Sequence, residues 1–207
     1  MRKIIPEKEL KILRKLSTPA KIQDFLDTLK INFEEKGDTS LPPIMVLKKR
    51  ICHCTEGAVL AALALRVHGQ EPLLLDLTAN RHDFDHVVAL FKKDGKWGAI
   101  SKTNHAALRY REPIYNSIRE LAMSYFHEYI DDKGRKNLRS YSPPVNLKRF
   151  DKFGWMTTRE EIDYIPEYLA EVKHFPMLNR KQIRNLRRSD EIEIQAGKIV
   201  EWKKRGK

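Results

Sequence analysis

Cys54 stands immediately before Thr-Glu-Gly-Ala-Val-Leu-Ala-Ala-Leu-Ala-Leu-Arg-Val-His-Gly, a run of small and apolar residues that reads as a buried helix. A thiol on the first turn of a helix is polarised toward thiolate by the helix dipole, and a nearby imidazolium strengthens the effect. Such a thiolate attacks an amide or ester carbonyl while an imidazole handles the leaving-group proton. The Cys54 backbone N–H would help bind the oxyanion. A cysteine alone would read as a small core residue. What changes the reading is His86, which opens the apolar stretch His86-Val-Val-Ala-Leu-Phe91.

That stretch and Trp97-Gly-Ala-Ile-Ser101 flank Lys93-Asp94-Gly95-Lys96. Asp-Gly between two apolar runs predicts a tight β-hairpin. With Asp94 and Gly95 as the loop, Lys93 pairs with Lys96, Val88 with Ser101 and His86 with Thr103. The period of two then puts His86, Val88, Ser101 and Thr103 on one face. Ser101 becomes a diagonal neighbour of His86, roughly 7–8 Å away between backbones. No carboxylate belongs to that face of the hairpin.

Cys-x-x-x-Ala on a helix, followed by a strand bearing His and an Asp-Gly hairpin with Trp97, resembles the transglutaminase-like superfamily of papain-like cysteine enzymes. The likeness lies in residues 50–104. It implies an α+β fold in which N-terminal helices precede a nucleophile-bearing helix packed on an antiparallel sheet. It also implies acyl transfer or hydrolysis of a peptide or isopeptide amide through a thioester on Cys54, with His86 as acid/base. Where the family carries an aspartate on the next strand, this chain has Ser101. An imidazole needs a partner on its other nitrogen to fix its tautomer. Ser101 holds that place by alignment, Asn104 could serve as an amide orienter, and Asp83 or Asp85 could fold back from the preceding loop. Without such a partner the same groove would act as a catalytically impaired module that binds a protein segment.

Other constellations are weaker. Cys52-His53-Cys54 with His82 and His86 is poor geometry for tetrahedral zinc, so neither metal nor cofactor is expected. His53 reads as a residue that caps or packs beside the helix start. Glu56 reads as a first-turn acid favoured by the dipole, with a substrate-facing role as the sharper alternative. Trp97 is expected to pack on the sheet or to shield His86. His105, His127 and His174 have no partners in sequence, and Arg109-Tyr110-Arg111 reads as a solvated loop.

Several elements must position this site. Pro6–Leu16 reads as an amphipathic helix, and Thr18-Pro19 as the cap and first residue of a second, reaching about Ile31. Ile44–Arg50 reads as a third short helix. The Cys54 helix ends at Gly69, and Glu71–Leu77 has strand length. Tyr115–Ile130 and Arg159–Val172 are helical by pattern, the latter broken at Pro166, and Gln182–Arg188 suggests a short basic helix. Gly134–Lys152 reads as a surface excursion. Glu191–Gln195 and Lys198–Trp202 suggest a terminal hairpin. The division expected is a core over residues 1–132 and a basic extension over 133–207, packed on or trailing it.

The chain has 207 residues and a net charge of +12, carried unevenly. Residues 1–50 hold 12 Lys/Arg against 7 Asp/Glu, residues 51–132 hold 9 against 11, and residues 133–207 hold 19 against 10. The basic flanks read first as solvated surface, with nucleic acid as the alternative partner. The slightly acidic centre argues against nucleic acid lying across the site. A peptide or protein substrate fits better. Nothing reads as a membrane span or a continuous signal-peptide core. Two cysteines one residue apart make a poor disulfide pair, which reads as a reducing, cytoplasmic setting.

Overall fold

A computed structural model describes residues 5–35 and 37–203. The fold is α+β. Helices α1 (Glu7–Lys15), α2 (Pro19–Asp27) and α3 (Pro43–Lys49) precede α4 (Cys54–Val67), with the short strands β1 (Lys30–Ile31) and β2 (Ile51–Cys52) paired in parallel between them. The main sheet contains β3 (Leu73–Ala79), β4 (His86–Lys93), β5 (Lys96–Ser101), β6 (Arg111–Tyr115), β7 (Leu138–Tyr141), β8 (Val145–Asn146) and β9 (Phe175–Pro176). Its strands run β6-β5-β4-β3-β7-β9, β8 also pairs with β3, and every pairing is antiparallel.

The two central strands read as continuous apolar runs because both faces are covered. Leu74, Val87, Ala89, Phe91 and Ile100 face α4. Leu75, Leu77, Val88, Leu90 and Ala99 meet Leu121, Ala122, Tyr125, Phe126 and Tyr129 on the other side. Helix α4 is buried from Glu56 through Leu65, as its small-residue composition requires. A helix apolar all round belongs in an interior, not on a surface. Its exit is at Gly69, at φ 84°.

The hairpin register is the expected one: Lys93 faces Lys96 and Val88 faces Ser101. Asp94 and Gly95 have φ 49° and 78°, the double positive φ that closes a two-residue hairpin in step with strand twist. Helix α2 begins as its residues dictate, with Thr18 Oγ1 accepting from Lys21 N–H at 3.2 Å and Pro19 in the first turn. It stops at Asp27, and Lys30–Ile31 is a strand where a helix was expected.

The second half departs further from its sequence pattern. Leu138–Tyr141 is no surface excursion, because it pairs with β3 inside the sheet. The segment after residue 132 thus supplies three strands. Tyr115 ends a strand, and the helical stretch shrinks to α5 (Ile118–Met123), capped by Ser117 Oγ, with a separate 3-10 turn at Phe126–Glu128. Pro166 does not break α6 (Tyr164–Glu171). It sits in the first turn, where no intrahelical N–H is needed. Helix α7 covers Arg180–Arg184. The expected terminal hairpin is instead α8 (Glu191–Gly197). Asp190 N–H donates to Glu193 at 2.7 Å in a capping box, and that local cap outweighs the apolar alternation of Ile192 and Ile194. No helix among the described residues is long and apolar enough to cross a membrane.

Gly57 is where α4 and the chain leaving β5 meet. A Cβ there would lie 2.6 Å from Lys102 Cβ. Gly→Ala inside a helix ordinarily gains about 1 kcal/mol, whereas overpacking a filled site costs about 1–3 kcal/mol. We expect Gly57→Ala to lower stability by up to about 2 kcal/mol, read from the urea midpoint. A higher midpoint would show that this contact yields freely.

Candidate active site

The residue before the cysteine makes the cap. His53 is the N-cap of α4, and its Nδ1 accepts from Thr55 N–H at 3.2 Å while its Nε2–H donates to Thr39 O at 2.9 Å. Glu56 reaches back to the cap, its Oε2 accepting from His53 N–H at 2.9 Å. Its Oε1 accepts from Thr39 Oγ1 at 2.8 Å and Leu41 N–H at 2.9 Å, and Asn32 Nδ2 lies 3.2 Å from Oε2. At 2% exposure, Glu56 does not face a substrate. It fastens the 32–41 loop to the helix start.

Cys54 opens the helix, so its own N–H has no partner in the first turn. Its Sγ lies 3.8 Å from Thr55 Oγ1. Burial alone would raise the thiol, but the His53 and His86 imidazoles beside it hold it well below the ordinary range. Cys52 behaves in the opposite way. It is fully buried, and burial, only partly offset by Lys102, pushes its thiol up to about 12.

His86 is the first residue of β4 and is buried. Its Nε2 lies 2.8 Å from Ser101 Oγ, and that oxygen lies 2.5 Å from Leu108 O. A carbonyl only accepts, so the serine proton goes to Leu108 and the imidazole must be the donor to Ser101. His86 therefore carries its proton on Nε2 and leaves Nδ1 free for the sulfur. Only a group that accepts and donates at once fits between ring and carbonyl.

Ser101 is itself held from behind. Its C=O accepts from Gln23 Nε2 at 2.8 Å and its N–H donates to Gln23 Oε1 at 2.9 Å. The side-chain amide of α2 thus takes the place of a neighbouring strand beyond the end of the β5–β6 ladder. Leu108 sits at φ 59°, a conformation that costs of order 1–3 kcal/mol for a non-glycine residue. It is fixed by its N–H donating to Glu128 at 2.7 Å, and Glu128 is paired with Arg111 at 2.6 Å. Lys102, next along the chain, is fully buried, and its ammonium donates to the carbonyls of Leu26 and Leu29 at 3.0 and 2.6 Å, closing the end of α2.

The other residues read from sequence have different partners. The Asn104 amide binds the backbone of Trp202, donating to its O at 2.9 Å and accepting from its N–H at 2.8 Å. Asp85 accepts from Ala79 N–H at 2.8 Å. Asp83 accepts from Phe84 N–H at 2.9 Å and from Asn137 at 3.3 Å. Trp97 lies at the turn end of the hairpin, opposite Lys92, and does not shield His86. His174 meets Asp76 at 2.9 Å. Burial and the nearby Asp85 raise that carboxyl to about 6 despite the imidazole. Arg109 is not free either, lying 3.9 Å from Asp27 and 3.6 Å from Glu201.

Cys54, His53 and His86 line one cleft of about 490 Å³, with Asp83, Phe84 and Leu108 on its walls. Phe84 is 89% exposed beside it. Among the described residues, no group of three or more His, Cys, Asp or Glu side chains is placed to hold a metal ion. No protein-family model matches the chain, and no curated protein matches it.

Sequence periodicity missed Gln23, whose polar side chain gives no hydropathy signal on a face ranked by Ile22, Phe25 and Leu26. It also missed Leu108, which reaches the site through its backbone carbonyl, and Glu128, whose carboxylate holds the Leu108 N–H. Replacing Ser101 with Ala would leave the His86 Nε2–H and the Leu108 carbonyl without partners in a buried place. We expect a stability loss of about 1–3 kcal/mol, read by denaturant unfolding. An unchanged midpoint would remove the relay from this account.

Proposed function

We propose that the protein is a cysteine-dependent acyl-transfer or hydrolytic enzyme of papain-like, transglutaminase-like type, acting on a peptide or isopeptide amide. The observation that carries this reading is the convergence in one cleft of a helix-opening thiol held well below its ordinary range and an imidazole whose far nitrogen is fixed by Ser101. The papain-like fold is part of the same reading. A nucleophile at the N-terminus of α4, packed against an antiparallel sheet that carries the imidazole, supports it.

The chemistry follows from the geometry. The Cys54 thiolate adds to the carbonyl carbon and the carbonyl electron pair moves onto oxygen, toward the Cys54 N–H at the helix start. Collapse of the tetrahedral species breaks the C–N bond, leaves a thioester on Cys54 and requires a proton for the departing nitrogen. Water or an amine then attacks the thioester, and His86 Nδ1 is placed to take its proton. Ser101 keeps the ring in the tautomer that makes this possible. A cytoplasmic, reducing setting suits a protein whose cysteines are both free and one of which is reactive.

Two thiols in one chain provide an internal control. Iodoacetamide should modify Cys54 at a rate that persists well below the free-thiol pKa of about 8.5, because the folded thiol ionises earlier. Cys52, shifted the other way, should stay unmodified until the protein unfolds. Peptide mapping after timed alkylation between pH 5 and pH 9 reads both sites. A Cys54 profile like that of an ordinary thiol would sink the enzyme reading, and the groove would then be a binding surface. With a p-nitrophenyl ester as acyl donor, His86→Ala should slow turnover at least about 100-fold, in keeping with the usual worth of a positioned acid/base.

A further inference from the structure

Of the four histidines that line the cleft, His53 and His86 are the two beside Cys54, and their surroundings differ in a way that divides their labour. This inference rests on the reading of Cys54 as a nucleophile. His86 donates its Nε2 proton to a neutral hydroxyl that ends on a carbonyl. The carboxylates nearest in sequence, Asp83 and Asp85, are turned to Asn137 and to the backbone of Ala79 and Phe84. His53 has the charged backing that His86 lacks. Its Nε2 lies 3.5 Å from Glu56 Oε1 and 3.6 Å from Glu34 Oε1, besides its bond to Thr39 O. A carboxylate behind an imidazole is the arrangement that stabilises an imidazolium.

We propose that His53, rather than His86, holds the thiol proton in the resting site, so that Cys54 rests as a thiolate beside a His53 imidazolium while His86 stays neutral. Proton transfer from Sγ to His53 Nδ1 exchanges a long incoming bond from Thr55 N–H, at 3.2 Å, for an outgoing bond to sulfur. The charged groups facing the ring are Cys54 and Glu56 from α4 and Glu34 from the 32–41 loop, all favourable to a cation there. Against them burial works alone, and the balance lifts His53 to about 9.

The steps balance without another reactant. As the C–N bond breaks, His53 Nδ1–H passes its proton to the departing nitrogen and becomes neutral. The attacking water or amine gives its proton to His86 Nδ1, and the Cys54 thiolate leaves the second tetrahedral species. The proton on His86 then returns to His53 by way of the sulfur, which restores the resting ion pair. A neutral base is thereby available for thioester cleavage from the start, with no prior loss of a proton to solvent. His53 is a catalytic residue in this scheme because its proton reaches the reacting atoms.

The test uses the full chain. Ring 15N chemical shifts of the histidines, followed from pH 5 to pH 9, should show His53 doubly protonated at pH 7 and His86 neutral with its proton on Nε2. Alongside, Cys54 alkylation is measured in His53→Asn and His86→Ala. Asparagine keeps an oxygen for the Thr55 N–H and so preserves the cap, which circular dichroism verifies. Reactivity at pH 6 should fall at least about tenfold in His53→Asn and persist in His86→Ala, as expected when the partner of a thiolate is removed in one variant only. Loss in His86→Ala with retention in His53→Asn, or an imidazolium at His86 in the spectra, would overturn the proposal and leave Cys54 a nucleophile. An ordinary thiol profile in the unmodified protein would instead defeat the reading on which the proposal rests. If His53→Asn does not fold, the ring shifts of the unmodified protein decide the matter alone.

Discussion

A carboxylate placed where water does not reach must be surrounded by donors or it costs several kcal/mol, and Glu56 is such a group. Its two oxygens gather donors from Asn32, Thr39, Leu41 and His53. Those donors lie on the loop before α3 and on the cap of α4, so meeting the needs of one side chain fixes the approach of two segments. The cap residue it holds is the neighbour of the thiol. The direction of the first helical turn, the orientation of His53 and one wall of the cleft all follow from where that carboxylate can be satisfied.

The far side of the site obeys a different rule. The His86 relay runs through a hydroxyl to a backbone carbonyl, so it fixes a tautomer without supplying negative charge. A carboxylate at position 101 would bring an acceptor against the Leu108 oxygen, which needs a donor. The serine is therefore matched to the strained loop around Leu108, and that loop to Glu128 and Arg111. Ser101 is thus consistent with its surroundings on every side.

What the sequence made legible was local. The Asp94-Gly95 turn, the Thr18-Pro19 cap, the small-residue helix and its glycine exit each depend on residues within a few positions of one another, and each stands where its residues place it. The candidate thiol, imidazole and serine come from that local record. The parts that escaped depend on distant partners. Leu138–Tyr141 is polar enough to read as surface, yet β3 offers it an edge. Gln23 meets Ser101 across 78 residues, and His174 meets Asp76 across 98. At the end of the described chain two local signals competed. Alternating Ile192 and Ile194 suggested a strand, and the Asp190–Glu193 capping box gave a helix.

The closed turn at Asp94 and Gly95 is exposed, chemically bland and at the opposite end of the strands from the imidazole. It nevertheless sets which residue of β5 stands beside which residue of β4. Inserting one residue there would slide the strands by one position and turn Ser101 to the face occupied by Val87 and Ala89, away from His86. Alignment of the site is thus stored at a corner that touches none of it. Evolutionary or engineered change in loop length at that corner would part Ser101 from His86 while the cleft itself kept every residue.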